Sequence, residues 1–201
     1  MKKELLMLIL SDVLILSSFG LIAPIFAIFI KEDLIGGSLV AVGLATTIFW
    51  VTKSAIQLPL SMYIDKHRHK VILLIAGTLL IVLVPFIYSF AKNVNHIFIA
   101  QVIYGFGTAL AYPTWFSLFT TYMDKKHKGF EWAIWSTSVG VGIALTAYLG
   151  AELASTIGFD LLFFIVGLFS LAGFILLFFI NRAHYKGILK EKRLNSRGKG
   201  N

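Results

Sequence analysis

Apolar residues fill six stretches of about a bilayer's thickness, separated by five short polar or charged breaks. A transmembrane helix needs about 20 predominantly apolar residues, so the pattern predicts spans over 5–30, 39–64, 71–90, 97–122, 131–154 and 161–180. The expected fold is an all-α integral membrane domain of six transmembrane helices over residues 1–180, followed by a basic tail over 181–201. The opening MKKELLMLIL has the charged start and apolar run of a signal peptide. Asp12 interrupts that run, which continues to Ile30 with no A-x-A site after it, so the segment reads as a retained first span.

Composition agrees with a bilayer as solvent. Of 201 residues, 58% are hydrophobic and 14% charged, against about a quarter charged in ordinary soluble domains. A soluble enzyme, a single-anchor protein and a disordered tail are excluded. The absence of cysteine removes disulfide, thiolate and Cys-ligated metal chemistry.

The formal net charge of +8 does not mark a nucleic-acid partner, because Lys and Arg lie in loops and the tail. Two cations sit at the start, three between spans two and three, three between spans four and five, and seven in the tail. The opposite side carries Lys31 and Lys92, while Lys53 lies inside a span. The positive-inside rule therefore puts both termini in the cytoplasm, and localisation is expected in the plasma (inner) membrane. The tail over 181–201 reads as a frayed basic segment near anionic lipid, or simply as an orientation signal.

The spans differ in what they can face. Spans three and six contain no charged residue and can face lipid. Span two places Thr46, Trp50, Lys53, Gln57 and Ser61 at steps of three or four, within one arc of a helix. Span four does the same with Gln101, Tyr104, Thr108, Tyr112 and Trp115. Such stripes are costly against lipid and should face protein or a hydrated cavity. Gly142, Thr146 and Gly150 in span five form a small-xxx-small seam, which marks a close helix contact. Pro24, Pro59, Pro85 and Pro113 each remove a backbone donor inside a span, so bends or local unwinding are expected in spans one to four.

The loop after span two, Ser61-Met-Tyr-Ile-Asp65-Lys66-His67-Arg68-His69-Lys70, resembles the major facilitator superfamily signature G-x-x-x-D-R/K-x-G-R-R/K at the place where that family carries it. Asp65, Lys66 and Lys70 match, while Ser61 and Arg68 replace its glycines and His69 a base. In span four Gln101-Val-Ile-Tyr-Gly105-Phe-Gly107 resembles R-x-x-x-G-x-G with Gln for Arg. Gly142, Thr146, Ala147, Gly150 and Ala151 fall on the register of the drug-antiporter motif g-xxx-GP-xx-GG without its Pro. Gly20-Leu-Ile-Ala-Pro24 is similar to the first helix of tetracycline and multidrug effluxers, with Ala27 where a second Pro is usual.

The resemblance covers the N-terminal six-helix half of a family whose members have two halves. Those halves are related by an axis along the membrane normal, the operator a C2 homodimer would use. It therefore implies a homodimer forming one twelve-helix transporter, with a heteromeric partner half or a truncated fragment as alternatives. Span two of one copy would meet span five of the other. Asp65 would approach the N-terminal end of the partner's span five, around Glu131 and Trp132, as a cytoplasmic gate made with Ser61, Lys66, Arg68 and Lys70; Asp65 could equally cap its own loop.

Ionisable groups inside spans are functional candidates. Asp12 lies about two turns into span one and Lys53 about eleven residues before the cytoplasmic end of span two. At 1.5 Å per residue their depths differ by roughly 5 to 8 Å, which a lysine can cover. They are candidate proton-coupling partners, within one copy or across the interface, or else a static pair; Lys53 is equally a candidate substrate contact, and Glu152 reads as a solvated end residue. A carboxylate whose cationic partner comes and goes with conformation can load and release a proton.

Trp50, Gln57, Gln101, Tyr104, Thr108, Tyr112 and Trp115 are the candidate cavity lining, suited by stacking and cation–π contact to amphipathic or cationic molecules, or else packing. No P-loop supports ATP drive, the five histidines do not form a metal set, and no constellation of an intramembrane enzyme is present. No cofactor is expected. The leading expectation is a proton antiporter exporting hydrophobic or cationic small molecules by alternating access. The rivals are an importer or uniporter of a polar or anionic metabolite with Lys53 as anion ligand, and a non-transporting scaffold or channel.

Overall fold

The computed structural model describes residues 1–66 and 69–197, with side chains through Ile180. Its elements are α1 (Lys3–Gly20), a short α2 (Phe26–Ile28) running into a π-helical turn (Phe29–Asp33), α3 (Leu39–Lys66), α4 (Lys70–Ser89), α5 (Val94–Tyr122), α6 (Lys128–Ile157) and α7 (Phe159–Arg197). Extended pairing among the described residues is confined to a bridge between Ile35 and Asn93, which ties the loop after the π-turn to the start of α5. Asn93 caps that helix, its side chain accepting from the N–H groups of Asn95 and His96.

Helices α3 to α7 are long and apolar enough to cross a membrane. The first predicted span differs, because its helix ends at Gly20 and resumes only at Phe26. A proline ring clashes with the carbonyl four residues earlier and offers no N–H in return. For Pro24 that carbonyl belongs to Gly20, where α1 stops, and residues 21–25 turn through short-range backbone bonds such as Ile22 N–H to Phe19 O. Pro59, Pro85 and Pro113 instead lie inside α3, α4 and α5, which continue through them. The expected unwinding is thus observed at Pro24 and not at the other three.

α4 packs between α5 and α7, α7 packs on α1, α6 joins α1, and α3 joins α5. One core cluster gathers Phe29, Tyr88, Ile97 and Phe163, with Phe29 edge-on to Phe163 at 4.6 Å. The other gathers Leu5, Leu118, Phe119 and Leu177 near the opposite ends of the helices. α4 and α7 bury one side and expose apolar residues such as Ile72, Leu83, Ile175 and Phe178 on the other. α3 and α6 are the least enclosed of the five long helices.

Close backbone approach explains two sequence features. Gly105 and Gly107 let α5 contact two neighbours at once: a Cβ on Gly105 would meet Phe49 O of α3, and one on Gly107 would meet Gly77 O of α4, each at 2.9 Å. On α6, Gly142, Thr146 and Gly150 meet Ser17, Gly20 and Leu21 of the same chain. The seam therefore joins α6 to α1. Its residues are committed within the chain, leaving Val141, Leu145 and Tyr148 on the open side of α6.

α7 continues as one helix to Arg197, past the predicted end of span six at Ile180. A frayed segment was expected over 181–201; its backbone is helical through Arg197. The stretch Ile188–Arg193 is rich in Leu, Lys, Glu and Arg, which favour helix.

Candidate functional site

A cavity of about 90 Å³ lies among α1, α4, α5 and α7. Ser11, Asp12, Ile15, Leu16 and Phe19 form its α1 wall, and Tyr104, Thr108, Ala111, Tyr112 and Trp115 its α5 wall. Leu74, Thr78 and Ile81 contribute from α4 and Leu177 from α7. Helical periodicity aligns these positions, since residues three or four apart share a face.

Asp12 supplies the acidic group of this lining. Its Oδ2 accepts a hydrogen bond from Trp135 Nε1 of α6 at 2.7 Å. Trp135 is placed by aromatic packing, 4.6 Å from Trp132 and 5.0 Å from Trp115 between ring centroids. Trp115 is almost fully buried, and its indole N–H has no hydrogen-bond partner among the described residues. The carboxylate is thus held by one charge-assisted bond, beside a second indole donor that is uncommitted. Ser11, the adjacent residue, donates to Gly173 O at 2.7 Å and locks α1 to α7.

Lys53 is placed elsewhere. Its Nζ lies over the rings of Trp50 at 4.6 Å, Tyr112 at 5.2 Å and Phe49 at 5.8 Å. No Asp12–Lys53 ion pair forms within the chain, because α6 and its Trp135 lie against α1 whereas α3 is carried on α5. Among the described residues no carboxylate ion-pairs with Lys53.

The remaining candidates are distributed as follows. Tyr104, Thr108, Tyr112 and Trp115 line the cavity. Gln101 does not: it is buried and its Nε2 donates to Tyr88 Oη at 3.1 Å. Trp50 is 54% exposed on α3, and Gln57 is half-buried on the same helix, both outside the cavity lining. In the motif at the end of α3 Ser61 Oγ donates to Leu58 O, and Asp65 and Lys66 are exposed. Lys70 Nζ donates to Ser117 Oγ at 2.6 Å and lies 3.9 Å from Asp65 Oδ1, so it links the start of α4 to α5. Arg68 lies outside the described residues. Glu131 is buried, accepts the Asp124 N–H at 2.8 Å and lies 3.9 Å from the N-terminal ammonium of Met1, so it ties the α5–α6 loop to the residues before α1.

Sequence reasoning missed Trp135 and Phe49. Both had a signal: Trp132 and Trp135 share a face of α6 at a three-residue step, and Phe49 and Trp50 precede Lys53 by four and three residues. What the pattern lacked was the neighbour each face meets.

The geometry is that of a membrane-embedded helical unit with an aromatic-walled cavity bearing one carboxylate. The family model of the Major Facilitator Superfamily matches residues 8–199. An uncharacterised MFS-type transporter of Methanocaldococcus jannaschii is 24% identical over 148 residues, which cover 74% of this chain and 38% of that protein. The match therefore spans well under half the length of this relative. On its apolar helices and this match over nearly its whole length, the chain is an integral multi-pass membrane protein that belongs to the major facilitator superfamily of transporters.

Proposed function

We propose that the chain is a half-size secondary transporter that pairs with a second copy of itself and exports hydrophobic or cationic small molecules in exchange for protons. The observation that carries this reading is Asp12, a carboxylate on a cavity with aromatic walls, held by one hydrogen bond from a different helix. A carboxyl in such a site is neutral when protonated and can be carried through a dry intermediate. When ionised it attracts a cation, so proton and cationic cargo compete for one group. Trp135 links that group to α6, so a change in protonation is felt at the α1–α6 contact.

Pairing is supported by the open side of α3. Thr46 and Thr47 satisfy their hydroxyls on their own helix, but Lys53 and Gln57 remain on a helix that the rest of the chain leaves largely uncovered. Polar groups at that depth are costly against lipid, and a second copy supplies cover. The loop charges support a reading with both termini in the cytoplasm, in which span one, made by α1, α2 and the π-turn together, crosses the membrane alongside α3 to α7.

The test is flux into proteoliposomes containing this chain alone, with an imposed pH gradient and a panel of cationic dyes. Gradient-driven accumulation by the wild type, lost in Asp12→Asn, is the expected result; equal accumulation by both would remove Asp12 from the coupling. Pairing is tested by cysteines placed at the exposed Leu58 of α3 and Leu145 of α6. Absence of any cross-linked dimer in native membranes would overturn it.

A further inference from the structure

We propose that Trp50, Tyr112 and Phe49 form an aromatic seat for an organic cation, and that the ammonium of Lys53 is a tethered competitor which cargo must displace from it. The inference rests on the cationic-cargo reading above and adds where such a cargo is first held and what sets its selectivity.

The seat has a local cause. Helical side chains lean back over the preceding turn, which brings Lys53 over Phe49 and Trp50, four and three residues earlier on α3. Tyr112 closes it from α5. All three ring centroids lie within 5.8 Å of Nζ, inside the roughly 6 Å over which a cation is attracted by a ring quadrupole. The rings are not sealed: Trp50 is 54% and Tyr112 51% exposed. Within one copy a body larger than an ammonium can therefore approach from the open side of α3, and in the pair proposed above that side faces the space between the two copies.

The same rings lead inward. Tyr112 belongs to both the seat and the cavity lining. Phe49 stacks on Tyr104 at 4.7 Å, and Tyr104 stacks on Phe19 at 5.2 Å. Tyr104 and Phe19 are cavity residues, and Phe19 stands on the helix that carries Asp12. A cation leaving the seat exchanges one aromatic face for the next and meets the carboxylate at the end of the track.

Lys53 decides what can enter. Two cations cannot share one set of ring faces, since they compete for the same quadrupoles and repel each other. With no carboxylate paired to it among the described residues, the ammonium is held by these rings and is free to swing toward water when displaced. Small hydrated ammonium ions gain little over the lysine they replace. Broad, weakly hydrated aromatic cations gain more, so the tether favours bulky delocalised cargo. The opposite role, an anion held by Lys53, is the alternative this makes testable.

The experiment is equilibrium binding of radiolabelled tetraphenylphosphonium to the full chain in nanodiscs. Lys53→Met keeps an unbranched apolar side chain and removes the charge; it is expected to tighten binding about tenfold. Lys53→Arg, which stacks on the same rings, should bind as the wild type does and controls for folding. Adding Trp50→Ala to Lys53→Met should abolish the gain. Unchanged or weaker binding by Lys53→Met, a gain that survives Trp50→Ala, or no binding by any variant would each overturn the proposal. The assay needs neither gradient nor proton coupling. Its failure together with Asp12-dependent export of uncharged hydrophobic molecules would remove the seat and leave the transporter reading standing.

Discussion

A methyl group added at Gly150 should destabilise the protein where the same methyl ten residues earlier on the same helix should not. A Cβ on Gly150 would overlap the Leu21 carbonyl oxygen and lie 2.7 Å from both the C and Cα of that residue. These are backbone atoms just beyond the end of α1, so no rotamer change relieves the clash. Gly140 has nothing within 4 Å of the same position. Both substitutions gain the propensity difference between Gly and Ala, about 1 kcal/mol in a helix interior, and that gain cancels in the comparison. The remaining difference is overpacking, about 1–3 kcal/mol. For a chain of this size each kcal/mol shifts the melting midpoint by about 2–4 °C, so Gly150→Ala should melt about 2–12 °C below Gly140→Ala in the same detergent. Gly142→Ala should fall between them, because it meets the side-chain hydroxyl of Ser17, which can rotate. If Gly150→Ala melts at or above Gly140→Ala, the α1–α6 seam is not the close contact described.

Three further outcomes are expected. Trp135→Phe keeps the ring but loses the bond to Asp12; at about 1.5–3 kcal/mol for a bond to a charged group, it should lower thermal stability. The same change in an Asp12→Leu background should cost little, and an equal cost there would assign the loss to packing. Gln101→Leu leaves the buried Tyr88 hydroxyl without its donor and should cost about 1–3 kcal/mol. Adding Tyr88→Phe should recover part of that loss in the same melting assay, and no recovery would exclude the pairing as its cause. In the α5–α6 loop the Lys126 N–H and then the His127 side chain hold the Asp124 carboxyl below its ordinary pKa. A depressed carboxylate contributes its stabilisation above the unfolded-state pKa and loses it as pH falls through the folded value. The protection factor at the Lys126 amide, its exchange rate corrected for the intrinsic pH dependence of amide exchange, should therefore fall only on strong acidification, and a fall nearer neutrality would contradict the assignment.

The hydrophobic pattern alone carried the membrane assignment and the positions of α3 to α7, because a run of about 20 apolar residues has few other stable uses. It also located the small-residue seam and the stripe on α5, since residues three and four apart must share a face whatever surrounds them. Local sequence does not say which neighbour that face meets. Gly142, Thr146 and Gly150 turn to their own α1, Gln101 turns to Tyr88 instead of the cavity, and Asp12 is held by Trp135 and not by Lys53. Each pairing joins residues on separate helices, 123 positions apart for Asp12 and Trp135. Only the packing order of the helices, fixed by how all their surfaces fit at once, decides such contacts.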